Sequence, residues 1–422
     1  MKRNTNEVIR NKTMTAPHIG NMSFKLLTIL ALAANPFTAG FSPSTPYSII
    51  ISSVQTLKMT PMNDEATVQT PPTSADITET MRLQSLTQYS DVMDHFMFEL
   101  GNDMVFLQNQ KDVSNYVDTH FDAILFDCDG VLYRGTDAIP EAAASLKALL
   151  KRGKKVLFVT NNAGSNRIQL RDKLASILDC PELTEDQMVS SSYSAAKYLQ
   201  NTFDKRGVAM EDLNIHVIGT GGLCEELRDF GATVSGGPSD DNESTSMSRE
   251  ELASYSFAKE KGGKGKVDAV VIGLDNEFNY RKLCIANVLL QQHPEALLIA
   301  TNEDAYDLVG SDARHLPGNG SLVKAIECCS QRDAINVGKP SKILAELLSE
   351  EHGLDPSRTL FVGDRLDTDV KFGKDGGMTS ALVLTGCTTA EILMNLDLGA
   401  GTDEGPLPHI VFPHMGMMGL DQ

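Results

Sequence analysis

The sequence predicts an α/β fold built on a largely parallel sheet, and three observations lead there. Apolar runs of three to six residues recur from residue 121 onward, stretches of helical periodicity separate them, and polar residues gather just past several of the runs. Strand and helix patterns in alternation are what helices layered on a parallel sheet leave in a sequence. The strand-like runs are Ala123–Phe126, Val156–Val159, Ile215–Ile218, Val267–Ile272, Leu297–Ala300, Ala334–Val337, Leu360–Val362 and Ala381–Leu384. The helical stretches between them include Ala142–Leu150, Arg281–Gln291, Leu322–Cys329 and Ile343–Glu350. One segment, Ser235–Lys266, interrupts the alternation with an acidic patch (Asp240, Asp241, Glu243) and a Gly/Lys-rich end. It reads as a mobile surface insertion.

Composition narrows the function classes. The 422 residues are 41% hydrophobic and 22% charged, enough apolar material for a sizeable core and too much for a disordered chain. With 37 basic and 56 acidic residues the net charge is −19, a sign that repels phosphate backbones and argues against nucleic acid as a partner. No apolar run reaches the ~20 residues of a membrane-spanning helix. Seven cysteines without regular spacing read as reduced thiols, not a disulfide framework. Cys128 is expected to be packed, and Cys328 and Cys329 to be buried in their helix.

The start of the chain differs from the rest. Residues 1–63 hold six basic residues and one acidic residue. They lead into the apolar run Leu26–Ala34 and the small residues Thr38, Ala39 and Gly40, a signal-like pattern. The Ser/Thr/Pro-rich stretch Phe41–Met62 follows, with Lys58 as its one charge, which fits a transit peptide. The Ala39-Gly40-Phe41-Ser42-Pro43 junction resembles the bipartite presequences of algae with complex plastids. A plastid location is therefore expected, with a cytoplasmic one as the alternative. Residues 64–115 read as a polar extension, with a possible amphipathic helix near Val92–Leu100.

Functional groups in open parallel sheets gather at the carboxyl ends of strands. Here Asp127-Cys128-Asp129-Gly130 follows Phe126, Thr160-Asn161-Asn162 follows Val159, Gly338-Lys339-Pro340 follows Val337, and Gly363-Asp364-Arg365-Leu366-Asp367-Thr368-Asp369 follows Val362. Three carboxylates with a lysine and a hydroxyl/amide group suit phosphoryl chemistry. Asp127, Asp129 and Asp364 offer hard oxygen ligands for Mg²⁺. One carboxylate can attack phosphorus, and a second can protonate the leaving oxygen and then activate water. Lys339, Thr160 and backbone N–H groups would neutralise the phosphoryl oxygens.

These four motifs, in this order, resemble those of the haloacid dehalogenase-like phosphatases, and within them the phosphoglycolate phosphatase/p-nitrophenylphosphatase branch. The resemblance spans roughly residues 118–392. It implies Asp127 as nucleophile, Asp129 as general acid/base, and Mg²⁺ held by the Asp127 side chain, the Asp129 backbone carbonyl and Asp364. It further implies that Thr160, Asn161 and Asn162 line the phosphate loop, that Lys339 bridges phosphate and nucleophile, and that Asp369 supports the metal from behind. Asp367 reads as a helix-start residue.

Spacing adds an independent expectation. Thr160 and Lys339 are 179 residues apart, far more than one strand–helix step needs, so a second α/β domain is inserted after the second motif. The boundaries expected are 116–206 and 306–422 for a Rossmann-like core and 207–305 for an inserted α/β cap. Gly219-Thr220-Gly221-Gly222 is either a phosphate cradle or a tight βα turn of that cap, and the turn is favoured because an isolated Gly loop is a weak signal. Pyridoxal phosphatases of the branch resemble one another in a histidine near the place where Asp307 stands. The chain lacks it, which lowers the weight on pyridoxal phosphate. Asn319 is a further departure, where the branch has a smaller or less polar residue.

The expectation is a Mg²⁺-dependent phosphomonoesterase acting on a small phosphorylated metabolite, first of all 2-phosphoglycolate, in a photorespiratory setting. A broad small-molecule or pyridoxal phosphate phosphatase is the alternative of the same class, and a non-catalytic binding protein that kept the fold is the alternative of another. Neither nucleic acid nor membrane is an expected partner, and a homodimer is compatible with the sequence.

Overall fold

A computed structural model of the chain describes residues 74–98, 104–107, 109–241, 243–256, 265–309, 314–396 and 405–419. The presequence expected over residues 1–63 lies outside the described residues. In chain order the strands are β1 (Val105–Phe106), β2 (Ala123–Phe126), β3 (Tyr133–Arg134), β4 (Asp137–Ala138), β5 (Lys155–Thr160) and β6 (Met188–Ser190). Then come β7 (Asn214–Ile218), β8 (Thr233–Gly236), β9 (Ala269–Ile272), β10 (Leu297–Ala300), β11 (Tyr306–Val309) and β12 (Arg314–Pro317). The last are β13 (Ile335–Asn336), β14 (Thr359–Gly363), β15 (Thr379–Val383) and β16 (Ile410–Phe412).

Two parallel sheets result. The larger has the order β1-β16-β15-β14-β2-β5-β6, and the smaller β13-β10-β9-β7-β8. The strands are short and apolar because both faces are covered, as parallel sheets require. All four residues of β2 and of β9 are buried. In the larger sheet the chain runs from β2 outward through β5 and β6, and the later strands fill the other side. The order reverses between β2 and β14, where a doubly wound sheet leaves a crevice at its carboxyl edge. Phe126 stands opposite Val362 in the parallel register, so the residues that follow these two strands are neighbours.

The domain limits differ from those expected. Ala195, Ala196, Leu199 and Phe203, on the helix Ser191–Asp204, pack with Ile215, Val217, Ala269 and Ile299 of the smaller sheet. That layer therefore begins before residue 207. It also continues past 305, because β13 pairs with β10, and Val323 and Ile326 of the helix Asn319–Ser330 pack with Val270 and Ile272. A two-residue strand carries too little pattern to reveal its sheet, and pairing decides.

The stretch read as a polar extension is part of the larger layer. Tyr89 and Val92 of the helix Ser74–Phe98 are buried against Leu366, Val370, Leu382 and Leu393, and β1 pairs with β16. Within Ser235–Lys266, the described residues 235–241, 243–256 and 265–266 include the end of β8 and the short helix Arg249–Ser254, with Met247 and Tyr255 buried. Residues 257–264 of that insertion lie outside the described residues. Cys128 is buried as expected, whereas Cys328 and Cys329 are exposed. The apolar face of their helix runs through Val323 and Ile326, and the two cysteines fall past it. No helix among the described residues is long and apolar enough to cross a membrane.

Candidate active site

The adjacency of β2 and β14 brings the first and fourth motifs together. Asp127, one residue past β2, donates its N–H to Val362 O at 2.9 Å. Gly130 turns the chain directly afterwards with φ +79°, a left-handed conformation that costs glycine little. A Cβ there would lie 2.6 Å from Asp364 Oδ2, so glycine also permits the close approach of the two loops. Thr385 Oγ1 donates to Gly130 O at 2.5 Å and Cys387 N to Asp364 Oδ2 at 2.5 Å, so the loop after β15 clamps both.

Lys339 reaches the same point. Its Nζ lies 2.5 Å from Asp127 Oδ1 and 2.7 Å from Asp369 Oδ1, and it is only 2% exposed. Burial works against its charge, but Asp127 and Asp369 outweigh burial and hold the ammonium above its ordinary range. Asp369 Oδ2 accepts the N–H groups of Asp364 and Arg365, each at 3.1 Å. It thus shapes the turn Leu366–Val370 from inside, as a supporting residue would. Asp367 pairs with the Arg365 guanidinium at 3.0 and 3.2 Å.

Asp127, Asp364 and Asp369 each offer a carboxylate oxygen within 4.8 Å of the other two. Three carboxylates against one ammonium leave two negative charges in a buried space. The titration directions express that excess. Burial pushes the Asp127 carboxyl well above its usual range; Lys339 opposes, while Asp369 and Asp364 add to the rise. Burial and Asp369 likewise raise Asp364. A divalent cation fits this donor set, since hard oxygens are its preferred ligands and its charge would cancel the excess. The oxygens left by the hydrogen bonds are Asp127 Oδ2 and Asp364 Oδ1, whereas both oxygens of Asp369 already accept hydrogen bonds.

Of the remaining expected residues, Asp129 is exposed beside the carboxylate cluster. Its surroundings displace enough water to raise its carboxyl, with Lys173 and Arg134 opposing and Asp307 adding. Thr160 is buried at the end of β5, its Oγ1 accepting Asn162 N at 3.2 Å. Asn162 is exposed, and its Oδ1 accepts Gly164 N at 2.7 Å. Asn161 differs from its neighbours in that its amide is engaged within the protein, with Lys339 and Asp304. Geometry thus gathers Asp127, Asp364, Asp369 and Lys339, leaves Asp129 and Asn162 open to solvent, and turns Asn161 inward.

Beyond the four motifs, Asn302 and Asp304 take part, in the segment Thr301–Asp307 that the family resemblance expects to face the active site, as does the Thr385–Cys387 loop, which alone escaped the sequence reading. That loop follows the apolar strand β15, so the same rule applied to every strand would have found it. The Gly219–Gly222 turn opens the helix Gly221–Asp229, and a Cβ on Gly222 would lie 2.5 Å from Gly164 O and Ser165 Cα. The glycine allows this helix to pack on the loop after the second motif, which supports the reading as a tight turn.

Comparison with known proteins agrees with this arrangement. Residues 124–233 match the family described as haloacid dehalogenase-like hydrolase, and residues 336–403 a second HAD-hydrolase-like family. Phosphoglycolate phosphatase 2 of Arabidopsis thaliana is 38% identical over 288 residues, which cover 68% of this chain and 89% of the relative. The chloroplastic phosphoglycolate phosphatase 1A of the same plant is 35% identical over 288 residues, or 68% and 74% of the two chains. Among solved structures, a p-nitrophenyl phosphatase from Archaeoglobus fulgidus superposes with a TM-score of 0.56 at 27% identity, covering 71% of this chain and 98% of that one. Its fold and the catalytic-edge geometry above lead to one assignment: the chain belongs to the haloacid dehalogenase-like hydrolases and is a phosphatase of the phosphoglycolate phosphatase/p-nitrophenylphosphatase branch.

Proposed function

We propose that the protein hydrolyses small phosphomonoesters with Mg²⁺ through an aspartyl phosphate, and that 2-phosphoglycolate is its preferred substrate. The observation that carries the chemistry is the Lys339 ammonium held between Asp127 and Asp369 beside the third carboxylate of Asp364. Lys339 opposes the rise that burial imposes on the Asp127 carboxyl and, together with bound Mg²⁺, would favour the anionic oxygen that attacks phosphorus. As the P–O bond to the alcohol breaks, Asp129 gives its proton to the leaving oxygen; it then takes a proton from the water that hydrolyses the acyl phosphate. Its raised carboxyl favours the protonated form that this first step needs. Lys339, Thr160 and the N–H groups after β5 meet the phosphoryl oxygens. Mg²⁺, held by the Asp127 and Asp364 side chains and the Asp129 carbonyl, would neutralise charge on the transferring group.

The choice of substrate draws on the Arabidopsis phosphoglycolate phosphatases, which the chain matches over most of their length. The p-nitrophenyl phosphatase likeness favours a second reading, a phosphatase of broad scope. Mg²⁺-dependent phosphate release from 2-phosphoglycolate, pyridoxal phosphate, sugar phosphates and p-nitrophenyl phosphate separates the two. A ~100-fold lead in kcat/KM for 2-phosphoglycolate, about 2.7 kcal/mol of transition-state discrimination, is the expected result. A flat profile would keep the chemistry and reject the substrate. The presequence pattern of residues 1–63 supports a plastid location, and a fluorescent fusion of that segment staying cytosolic in an algal cell would reject it.

A further inference from the structure

We infer that Asn161 and Asp304 are a positioning pair that sets Lys339 in the reacting centre, so that Asn161 serves the lysine and not the substrate. Asn161 Oδ1 accepts the Lys339 N–H at 2.8 Å, and Asn161 Nδ2 donates to Lys339 O at 3.2 Å. One amide thus grips both polar groups of the lysine backbone. The same Nδ2 donates to Asp304 Oδ1 and Oδ2 at 2.9 and 3.1 Å. The orientation of the amide follows from its partners, because a backbone N–H only donates and an ionised carboxylate only accepts.

The backbone of Asn161 is held as well. Its carbonyl accepts Ser191 Oγ at 2.6 Å and Asn302 Nδ2 at 2.8 Å. Asn302 is fixed in turn, since Asn319 Nδ2 donates to its carbonyl at 2.8 Å and to Ile272 O at 3.2 Å. The departure noted at Asn319 therefore has a place: the amide ties the end of β9 to the segment that follows β10.

The consequence concerns where the lysine is anchored. Lys339 follows β13 of the smaller sheet, yet its Nζ works at the edge of the larger one. Its side chain has four rotatable bonds, so the backbone must be fixed if the ammonium is to stay between two carboxylates. Asn161 comes from the larger layer and Asp304 from the smaller, and together they lock the lysine backbone across the two. A displacement of ~1 Å at such a group costs on the order of 100-fold in rate. Because the pair acts through Lys339, its loss should lower kcat and leave KM nearly unchanged.

This inference rests on the proposed role of Lys339 at the phosphoryl group, and its test carries a second readout that needs no turnover. In the full chain, p-nitrophenyl phosphate hydrolysis would be measured for Asn161→Asp, Asp304→Asn and the double exchange. The ammonium resonances of ¹⁵N-lysine-labelled protein would be recorded for each, with Lys339→Met assigning the signal. Asn161→Asp sets two carboxylates together and loses the donor to Lys339 O. We expect kcat to fall ~100-fold with KM within about threefold, and the Lys339 ammonium signal to be lost. Asp304→Asn should lower kcat about tenfold. The double exchange restores an amide–carboxylate pair that still accepts the Lys339 N–H, and should recover kcat to within about tenfold of wild type together with the signal. The ammonium of Lys282, a buried lysine of the smaller layer paired with Asp241 and Asp275, reports that each variant is folded. A tenfold rise in KM at unchanged kcat in Asn161→Asp would make Asn161 a substrate contact and overturn the inference, as would unchanged kcat with the Lys339 signal intact. If the wild type releases no phosphate, the functional reading falls, and the resonance alone decides this one.

Discussion

Among the described residues two buried lysines are each held between two aspartates, and only one stands in the candidate active site. Lys339 lies between Asp127 and Asp369 at the carboxyl edge of the larger sheet. Lys282, in the smaller layer, lies 2.6 Å from Asp241 and 2.8 Å from Asp275, with its side chain 4% exposed. Burial opposes both ammonium charges, and in both cases the aspartates prevail. The difference is in what surrounds them. Asp275 uses its other oxygen to accept Glu277 N at 2.9 Å, and Asp241 is 31% exposed, so solvent shares its charge. Around Lys339 a third carboxylate, Asp364, adds charge that Arg365 and Lys339 offset only in part, and no ion pair reaches it among the described residues. The Lys282 cluster is electrostatically complete, whereas the Lys339 cluster carries an excess, and an unbalanced buried charge is what a ligand can complete.

The contrast can be broken most forcefully with one substitution in each cluster. Asp127→Asn removes the proposed nucleophile, and kcat for p-nitrophenyl phosphate should fall at least ~1,000-fold. It also takes one charge from the crowded set, so the metal-free protein should be no less stable than wild type in urea. Asp275→Asn should behave in the opposite way. Its kcat should stay within about threefold of wild type, while stability falls by about 2 kcal/mol because a buried charge-assisted bond to Lys282 is lost. Equal losses of activity from the two variants would end the distinction between a complete and an incomplete cluster.

How much of this was legible beforehand follows the same division. Asp127, Thr160 and Asp364 follow strongly apolar runs, and local pattern suffices to place them at one sheet edge, whereas Lys339 follows a strand of the smaller sheet and reaches that edge through its side chain. The excess of charge at that edge was visible as well, since the four motifs hold five aspartates against one lysine and one arginine. What pattern could not reveal depends on contacts between distant segments. β13 is two residues long and joins the smaller sheet by pairing with β10. Asn161 looks like its neighbour Asn162 in sequence, yet one turns to Lys339 and the other to solvent. The helix Ser74–Phe98 reads as polar, and its buried residues Tyr89 and Val92 become intelligible only beside Leu366 and Leu393. Lys282 likewise sits between two aspartates, but Asp241 and Asp275 lie 41 and 7 residues away, and neither belongs to the four motifs.

The smallest effect sharpens the comparison through pH. Burial, with Asp369 beside it, pushes the Asp364 carboxyl up to about 7, against 3.8 as the ordinary value. Between these values the folded protein holds a proton that the unfolded chain has released, so the folded state gains stability as pH falls through 7 toward 3.8. In EDTA, wild type should therefore gain about 1 kcal/mol between pH 8 and pH 6 from this group, a gain that Asp364→Asn lacks. Histidines act in the opposite sense. His414 is pushed down to about 4 by burial, with Arg82 adding and the Pro140 carbonyl opposing, so it loses stability as pH falls below its unfolded value of 6.5. That loss is common to wild type and Asp364→Asn and cancels in their difference. Urea unfolding of both proteins at pH 6 and pH 8 checks the slope. Asp275→Asn, from the complete cluster, should keep the slope of wild type, since Asp364 remains. A slope that survives Asp364→Asn would show that the excess charge is spread over the edge and not concentrated at that residue.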